Sequence, residues 1–176
     1  GAQSFEAQIM DWSDDVAYSV HDLEDALVSG QVKLHELTND FPDIYKDAQS
    51  NNLVDITIEE ARLALENLQQ LSCWPKEYDG SHRALARLKD LASQLVGRFA
   101  RAAEQATREK YGTGDLTRFG ANLVVPRAQR AEVALLKSLA GFYIINSAKS
   151  VKRYDNEQVL IHELVEAVLK GAPSTL

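Results

Sequence analysis

This sequence has few of the residues that staple or interrupt a small domain. Of 176 residues, one is cysteine, four are proline and nine are glycine. The single Cys73 excludes an intramolecular disulfide, which fits a reducing, cytoplasmic compartment. Cys73 stands beside Trp74 and Pro75 and reads as a packed helix end rather than a nucleophile. No apolar run approaches the ~18 residues of a membrane span, and no charged-then-apolar leader pattern marks a signal peptide. Cations are outnumbered, 19 Lys and Arg against 26 Asp and Glu, for a net charge of -7. That balance excludes a free-standing, non-specific nucleic-acid binder, which needs a basic surface to displace counterions. It leaves room for a nucleotide held by a few well-placed cations. One shortage is local: residues 1–30 contain no Lys or Arg at all.

What the sequence does have is helical periodicity. Residues 5–28 read as a helix stopped by Gly30, with a short helix over 31–37 after it. "NDFPDIYKD" reads as a turn leading into another short helical piece. Thr57 and Glu60 form a capping box for "IEEARLALENLQQL", and "SCWPKEYDG" breaks that helix. Ser81 opens the longest periodic segment, whose apolar stripe is Leu85, Leu88, Leu91, Leu95, Val96 and Phe99. "YGTGD" is a loop by its glycines. "TRFGANLVVP" alone has strand character, as a short extended arm or β-hairpin. A helix is expected over 126–149, with Pro126 in its first turn. The last helix is "NEQVLIHELVEAVLKG", ended by Gly171. No internal repeat or low-complexity stretch occurs. The expected class is all-α, a helical bundle. The charged helix begins almost at once and "APSTL" trails off, so a fragment of a larger protein is expected.

The opening stretch "MDWSDDVAYSVHDLEDAL" carries six acidic groups in eighteen residues. At about 100° per residue, Trp12, Val16, Ala17, Val20, Leu23 and Leu27 share one broad face that must be buried. Asp11, Asp14, Tyr18, Asp22 and Asp25 fall within about one quadrant elsewhere. Asp14, Tyr18 and Asp22 are spaced i, i+4, i+8 and stack along one line. Like charges at that spacing cost a few tenths of a kcal/mol per pair, and aspartate is a poor mid-helix residue. Two readings stand side by side. The stripe is a solvated face, or it awaits a metal ion or basic side chains from another segment.

The run Ser13, Asp14, Asp15, Val16, Ala17, Tyr18, then Asp22, Leu23, Glu24 and Asp25, resembles a helix of the bacterial dGTP triphosphohydrolase family. These are all-α enzymes of the HD superfamily with an H…HD…D metal motif, and the helix in question carries the last aspartate. "LKDLASQLVGRF" and "NLVVPRAQRAEVALLKSLAGFYII" are similar to the family's C-terminal helical region. The resemblance implies a C-terminal part of such a phosphohydrolase: residues 1–30 end the HD catalytic core, and 31–176 form the C-terminal helical region. It also implies that Asp14 completes a metal shell of manganese, magnesium or a similar divalent ion. Tyr18 then approaches the sugar and phosphates, and Asp22 accepts a hydrogen bond from the deoxyribose 3′-hydroxyl. A dNTP, with dGTP foremost, is the implied substrate, and a homo-oligomer the implied assembly. Arg83, Arg87, Lys89 and Arg98 are candidates to hold the triphosphate.

The sequence departs from the family in one large respect. The histidine and His-Asp ligands precede the aspartate helix in the family, and no counterpart precedes Asp14 here. His21, His35, His82 and His162 are scattered. The dipeptide His21-Asp22 follows the aspartate it should precede, and adjacent helical positions point about 100° apart. The chain by itself is therefore expected to bind no metal and to be inactive. Exposed apolar surface on the first helix is expected to favour self-association. A helical interaction module without chemistry, and an HD phosphohydrolase acting on another nucleotide, remain alternatives.

Overall fold

A computed structural model describes residues 3–32, 34–50, 55–145 and 148–171. It is all-helical, with α1 Phe5–Val28, α2 Leu37–Ser50, α3 Ile58–Gln69, α4 His82–Tyr111, α5 Arg127–Ile145 and α6 Ala148–Gly171. No strand occurs among the described residues.

Most helix ends follow from local chemistry. Ser4 caps α1 by accepting from the Ala7 N–H. At the other end Gly30 takes a positive φ of 70°, cheap only for glycine. The N–H groups of Gln31 and Val32 both return to the Ala26 carbonyl. The Thr57–Glu60 capping box forms as expected, and Ser81 caps α4 through the Ala84 N–H. Gly112, at φ 80°, closes α4 with its N–H on Arg108 O.

Five expectations are corrected. The helix expected over 31–37 does not occur among the described residues: 34–36 form a turn, and α2 starts at Leu37. The α1 cap holds the backbone at 31–32, and the Glu36 carbonyl starts the new helix by accepting from Asn39 and Asp40. "NDFPDIYKD" lies wholly inside α2, Pro42 included. Pro42 sits in the second turn, so only the Thr38 carbonyl loses its donor, and burial of Phe41, Ile44, Tyr45 and Ala48 holds the helix. "TRFGANLVVP" is an extended arm, not a hairpin. Its backbone N–H groups go to side chains, Leu123 to Gln8 Oε1 and Val124 to Thr107 Oγ1, so no ladder forms. The helix expected over 126–149 ends at Ile145, and Asn146 and Ser147 lie outside the described residues. The last helix starts at Ala148 rather than Asn156.

The central element is α5, which packs on α1, α2 and α3, while α1 lies between α5 and α4. Val16, Val20, Leu23 and Leu27 of α1 join Leu135, Leu136 and Leu139 of α5 and Leu88, Leu91, Leu95 and Phe99 of α4 in one core. Two members of the expected α4 stripe, Leu85 and Val96, stand outside it, each more than a third exposed. The apolar face of α1 is covered from Val16 to Leu27, while Ile9 and Met10 near its start and Val28 at its end are exposed. Trp12 is half-buried and meets Phe99 edge-on at 6.4 Å.

Ion pairs tie the helices at the edges of this core. Arg127 at the start of α5 holds Glu60 of α3 through two hydrogen bonds. This pairing, helped by the Thr57 N–H, holds the Glu60 carboxyl far down, at about 2. A carboxyl depressed in the folded state contributes stability above its unfolded value and loses it as pH falls. The loss should therefore run from pH 4.5 down toward 2. Urea midpoints measured down that range should fall less steeply in Arg127→Gln than in the parent; identical slopes would refute the linkage.

Candidate functional site, the outer face of α1

The rotation of α1 about its own axis decides which side chains it offers. Three contacts fix that phase besides the apolar core. Asp15 pairs with Lys137 of α5 on one flank. Glu24, itself buried, pairs with Lys89 of α4 on the other. Trp12 rests on Phe99 near the start. With both flanks pinned, Asp11, Asp14, Tyr18, Asp22 and Asp25 all face outward and are exposed.

Tyr18 is 67% exposed, as a tyrosine waiting for a partner would be and as a solvated one would be too. Partial burial, seconded by the neighbouring Asp25, pushes the Asp22 carboxyl above its ordinary value, while His21 pulls the other way. The His21 ring gives its Nδ1–H to the Ala17 carbonyl of its own helix. Asp11 accepts from the Gln3 amide.

Around this line the described residues assemble neither a ligand set nor a clamp. No group of three His, Cys, Asp or Glu among them stands close enough to hold a metal ion, so Asp14 offers one carboxylate and no more. The residues present do not by themselves fit a divalent ion. The cavities along α1 lie beside this line, and one of them reaches Asp11 at its edge. One of about 260 Å³ is apolar, under Phe5, Ile9 and Trp12 and closed by Ala103, Thr107, Leu116 and Leu123. Another, about 230 Å³, lies toward α5 among Asp15, Asp55, Arg127, Arg130 and Lys137. None is lined by Asp14, Tyr18 or Asp22.

The four cations proposed for phosphate stand on α4 and divide into two kinds. Arg98 gives its Nε–H and an Nη–H to the two carboxylate oxygens of Glu132, at 2.9 and 2.7 Å. That hydrogen bonding holds its guanidinium pKa above the usual value. Lys89 is the partner of Glu24. A phosphate would have to compete with both carboxylates. Arg83 and Arg87 are exposed on the first turns of α4. Cys73 is half-buried, and burial raises its thiol pKa, which agrees with a packing role.

Sequence reasoning missed two residues that matter for this geometry. Glu24 looks like part of the acidic tail, yet it falls beside Ala17 at the edge of the apolar face, about 80° from Val16. That wheel position was the available signal. Glu132 is fully buried in the second turn of α5, and its sequence neighbours Ala131 and Val133 give no hint of the arginine that meets it.

Against known proteins, no family model matches and no solved structure matches. Curated relatives do. The chain is 46% identical over 175 residues to the deoxyguanosinetriphosphate triphosphohydrolase-like protein of Streptomyces coelicolor, covering 98% of this chain and 41% of that protein. The protein of the same name in Corynebacterium diphtheriae is 37% identical over 174 residues, 97% of this chain and 41% of its own length. That of Bifidobacterium longum is 32% identical over 185 residues, 98% and 37%. The chain thus spans about two fifths of the length of these relatives. It belongs to the family of the deoxyguanosinetriphosphate triphosphohydrolase-like proteins.

Proposed function

We propose that this chain supplies one wall of the catalytic pocket of a metal-dependent dNTP triphosphohydrolase. In that reaction water cleaves the bond between the α-phosphorus and the 5′-oxygen, leaving a deoxynucleoside and intact triphosphate. The observation that carries the reading is the exposed line Asp14, Tyr18, Asp22, held outward by a pinned and buried opposite face. The relatives' shared name supports it, and points to dGTP as the substrate.

In this reading residues 1–30 are the last helix of the HD core and 31–176 the C-terminal helical region. Asp14 gives one carboxylate oxygen to a metal set, manganese or magnesium, whose histidines lie outside this sequence. Such an ion, when bound, would supply Lewis acidity toward a phosphoryl oxygen or a water. Tyr18 packs against the sugar and phosphates. Asp22 accepts from the 3′-hydroxyl, and Arg83 and Arg87 remain open to phosphate. The reading includes a cytoplasmic location and a homo-oligomer. Among the described residues no helix is long and apolar enough to cross a membrane.

A second reading, an interaction module without chemistry, draws on one observation: among the described residues no Lys or Arg forms an ion pair with Asp11, Asp14, Asp22 or Asp25. One experiment separates the two. This chain and the longer protein are assayed in parallel for triphosphate release from dGTP with manganese. Release by the longer protein and none by the 176-residue chain is expected. Inactivity of both returns the weight to the interaction module, and activity in the short chain means that the catalytic residues are misplaced.

A further inference from the structure

Gln94, Arg98, Arg101 and Gln105 are spaced i, i+4, i+7 and i+11 along α4, so they share one of its faces. With Cys73 of the loop before α4 and Gln129 of α5 they line a cavity of about 410 Å³. No residue of α1 lines it, and neither does any Asp, Glu or aromatic residue. Two guanidiniums and three primary amides thus border one space in a chain whose net charge is -7.

The two arginines contribute differently. Arg98 spends two of its five N–H donors on the Glu132 carboxylate. Glu132 balances its charge and leaves three donors over. Arg101 makes no hydrogen bond or ion pair with a described residue, so its charge has no counterpart. Gly97 fixes where that charge lies. Glycine weakens a helix interior relative to alanine, and Gly97 stands in the middle of α4. A Cβ there would come 3.3 Å from both terminal nitrogens of Arg101, and its three nearest neighbours would all be atoms of that guanidinium. The bare backbone therefore lets the guanidinium lie one turn back, at the level of Arg98.

We propose that this cavity binds a small oxyanion of two or more charges, a phosphate or carboxylate group, with Arg101 supplying the charge and Arg98 and the amides supplying donors. The inference stands independently of the catalytic reading. An anion meets no carboxylate in the cavity. Gln94 and Gln105 each turn one N–H to a carboxylate of their own helix, Asp90 and Glu109, and keep the second. Gln129 has no hydrogen-bond partner among the described residues. A cation is the wrong ligand for two guanidiniums. A nucleobase is wrong as well, because no ring lines the cavity for it to stack on. One charge open to water holds an anion weakly, so a dissociation constant on the order of 1 mM is expected.

The test uses Cys73, the only cysteine of the chain, which reports from the cavity wall. Its alkylation by iodoacetamide, a neutral reagent, is followed by mass at fixed pH and ionic strength. Pyrophosphate at about 10 mM should slow it about tenfold against sodium chloride and raise the melting temperature by about 4 °C. Citrate in parallel separates the two sources: the site is for phosphate groups if pyrophosphate protects at the lower concentration, and for carboxylates if citrate does. Arg101→Gln should keep the circular dichroism of the parent and need at least about tenfold more anion for equal protection. Arg118→Gln makes the same charge change on the arm and should behave as the parent. Gly97→Ala should melt higher without ligand, since alanine is the better helix former. It should nevertheless bind more weakly, since its methyl shifts the guanidinium; a merely structural Arg101 would not divide the two effects. The proposal is overturned if neither anion slows alkylation beyond sodium chloride. It is overturned as well if Arg101→Gln is protected as the parent is, which would place the anion elsewhere.

Discussion

Replacing Arg98 by methionine is expected to cost this fold about 3 kcal/mol, because it strands a fully buried carboxylate. Glu132 has no exposed surface, and both its oxygens are held by the Arg98 guanidinium. The pair itself need not be strongly stabilising, since desolvating two charges cancels most of their attraction. The penalty lies in breaking it from one side. For a chain of this size the loss corresponds to a fall of about 10 °C in melting temperature. The double variant Arg98→Met/Glu132→Leu should recover most of it, because an apolar pair of similar volume substitutes well for a buried ion pair. The comparison pair is Lys89 with Glu24. Lys89 is 67% exposed and its loss leaves Glu24 at an edge that water can reach, so Lys89→Met should cost less than about 1 kcal/mol. Urea unfolding of the parent and the three variants, followed by circular dichroism, measures all of this. A cost below about 1 kcal/mol for Arg98→Met, or no recovery in the double variant, would show that water reaches Glu132 after all.

The fold was legible wherever the signal was local. Thr57 with Glu60, Ser81 before the long helix and Gly30 after the first are caps that act through neighbouring backbone groups, so sequence order is enough. The buried faces of α1 and α4 followed from the 3.6-residue period. It failed where a distant contact overrules a local preference. Pro42 signals a break, but the apolar residues that follow it are buried and hold α2 through it. "NLVV" has strand composition, yet Gln8 and Thr107 accept from its Leu123 and Val124 N–H groups, and no partner strand is present among the described residues. Residues 148–156 contain few apolar positions, so the true start of α6 left no periodic trace.

The candidate site was legible as geometry and not as chemistry. That Asp14, Tyr18 and Asp22 share a line follows from spacing alone. That they face outward follows from the apolar face behind them, and the flanking pairs with Lys137 and Lys89 make that phase definite. Neither pair could be read from α1, since each partner comes from a helix far along the chain. The four α4 cations were candidates by charge, but charge does not say which are already engaged. Arg98 and Lys89 are, through Glu132 and Glu24, and Arg87 lies close enough to Asp79 to act on its carboxyl.

The sharpest functional prediction contrasts two adjacent carboxylates. In the longer protein, Asp14→Asn is expected to lower triphosphate release by three orders of magnitude or more, about 4 kcal/mol of barrier. An amide in place of a carboxylate keeps the shape and removes the anionic oxygen that a hard cation requires. Asp15→Asn, one residue on, should keep activity within about tenfold, because Asp15 points to Lys137 and acts only by holding the helix. The two variants should differ oppositely in stability. Asp14 is exposed with no partner among the described ion pairs, so its loss relieves like-charge repulsion by a few tenths of a kcal/mol. Asp15→Asn loses an ion pair and should be neutral or slightly destabilised. Asp22→Asn is expected to raise KM more than it lowers kcat, as fits a residue that holds the sugar rather than the reacting phosphorus. Steady-state kinetics and melting of the three variants decide the matter. If Asp14→Asn retains more than a tenth of the parent rate, the acidic line is a solvated face, and the repeated aspartates of α1 serve solubility alone.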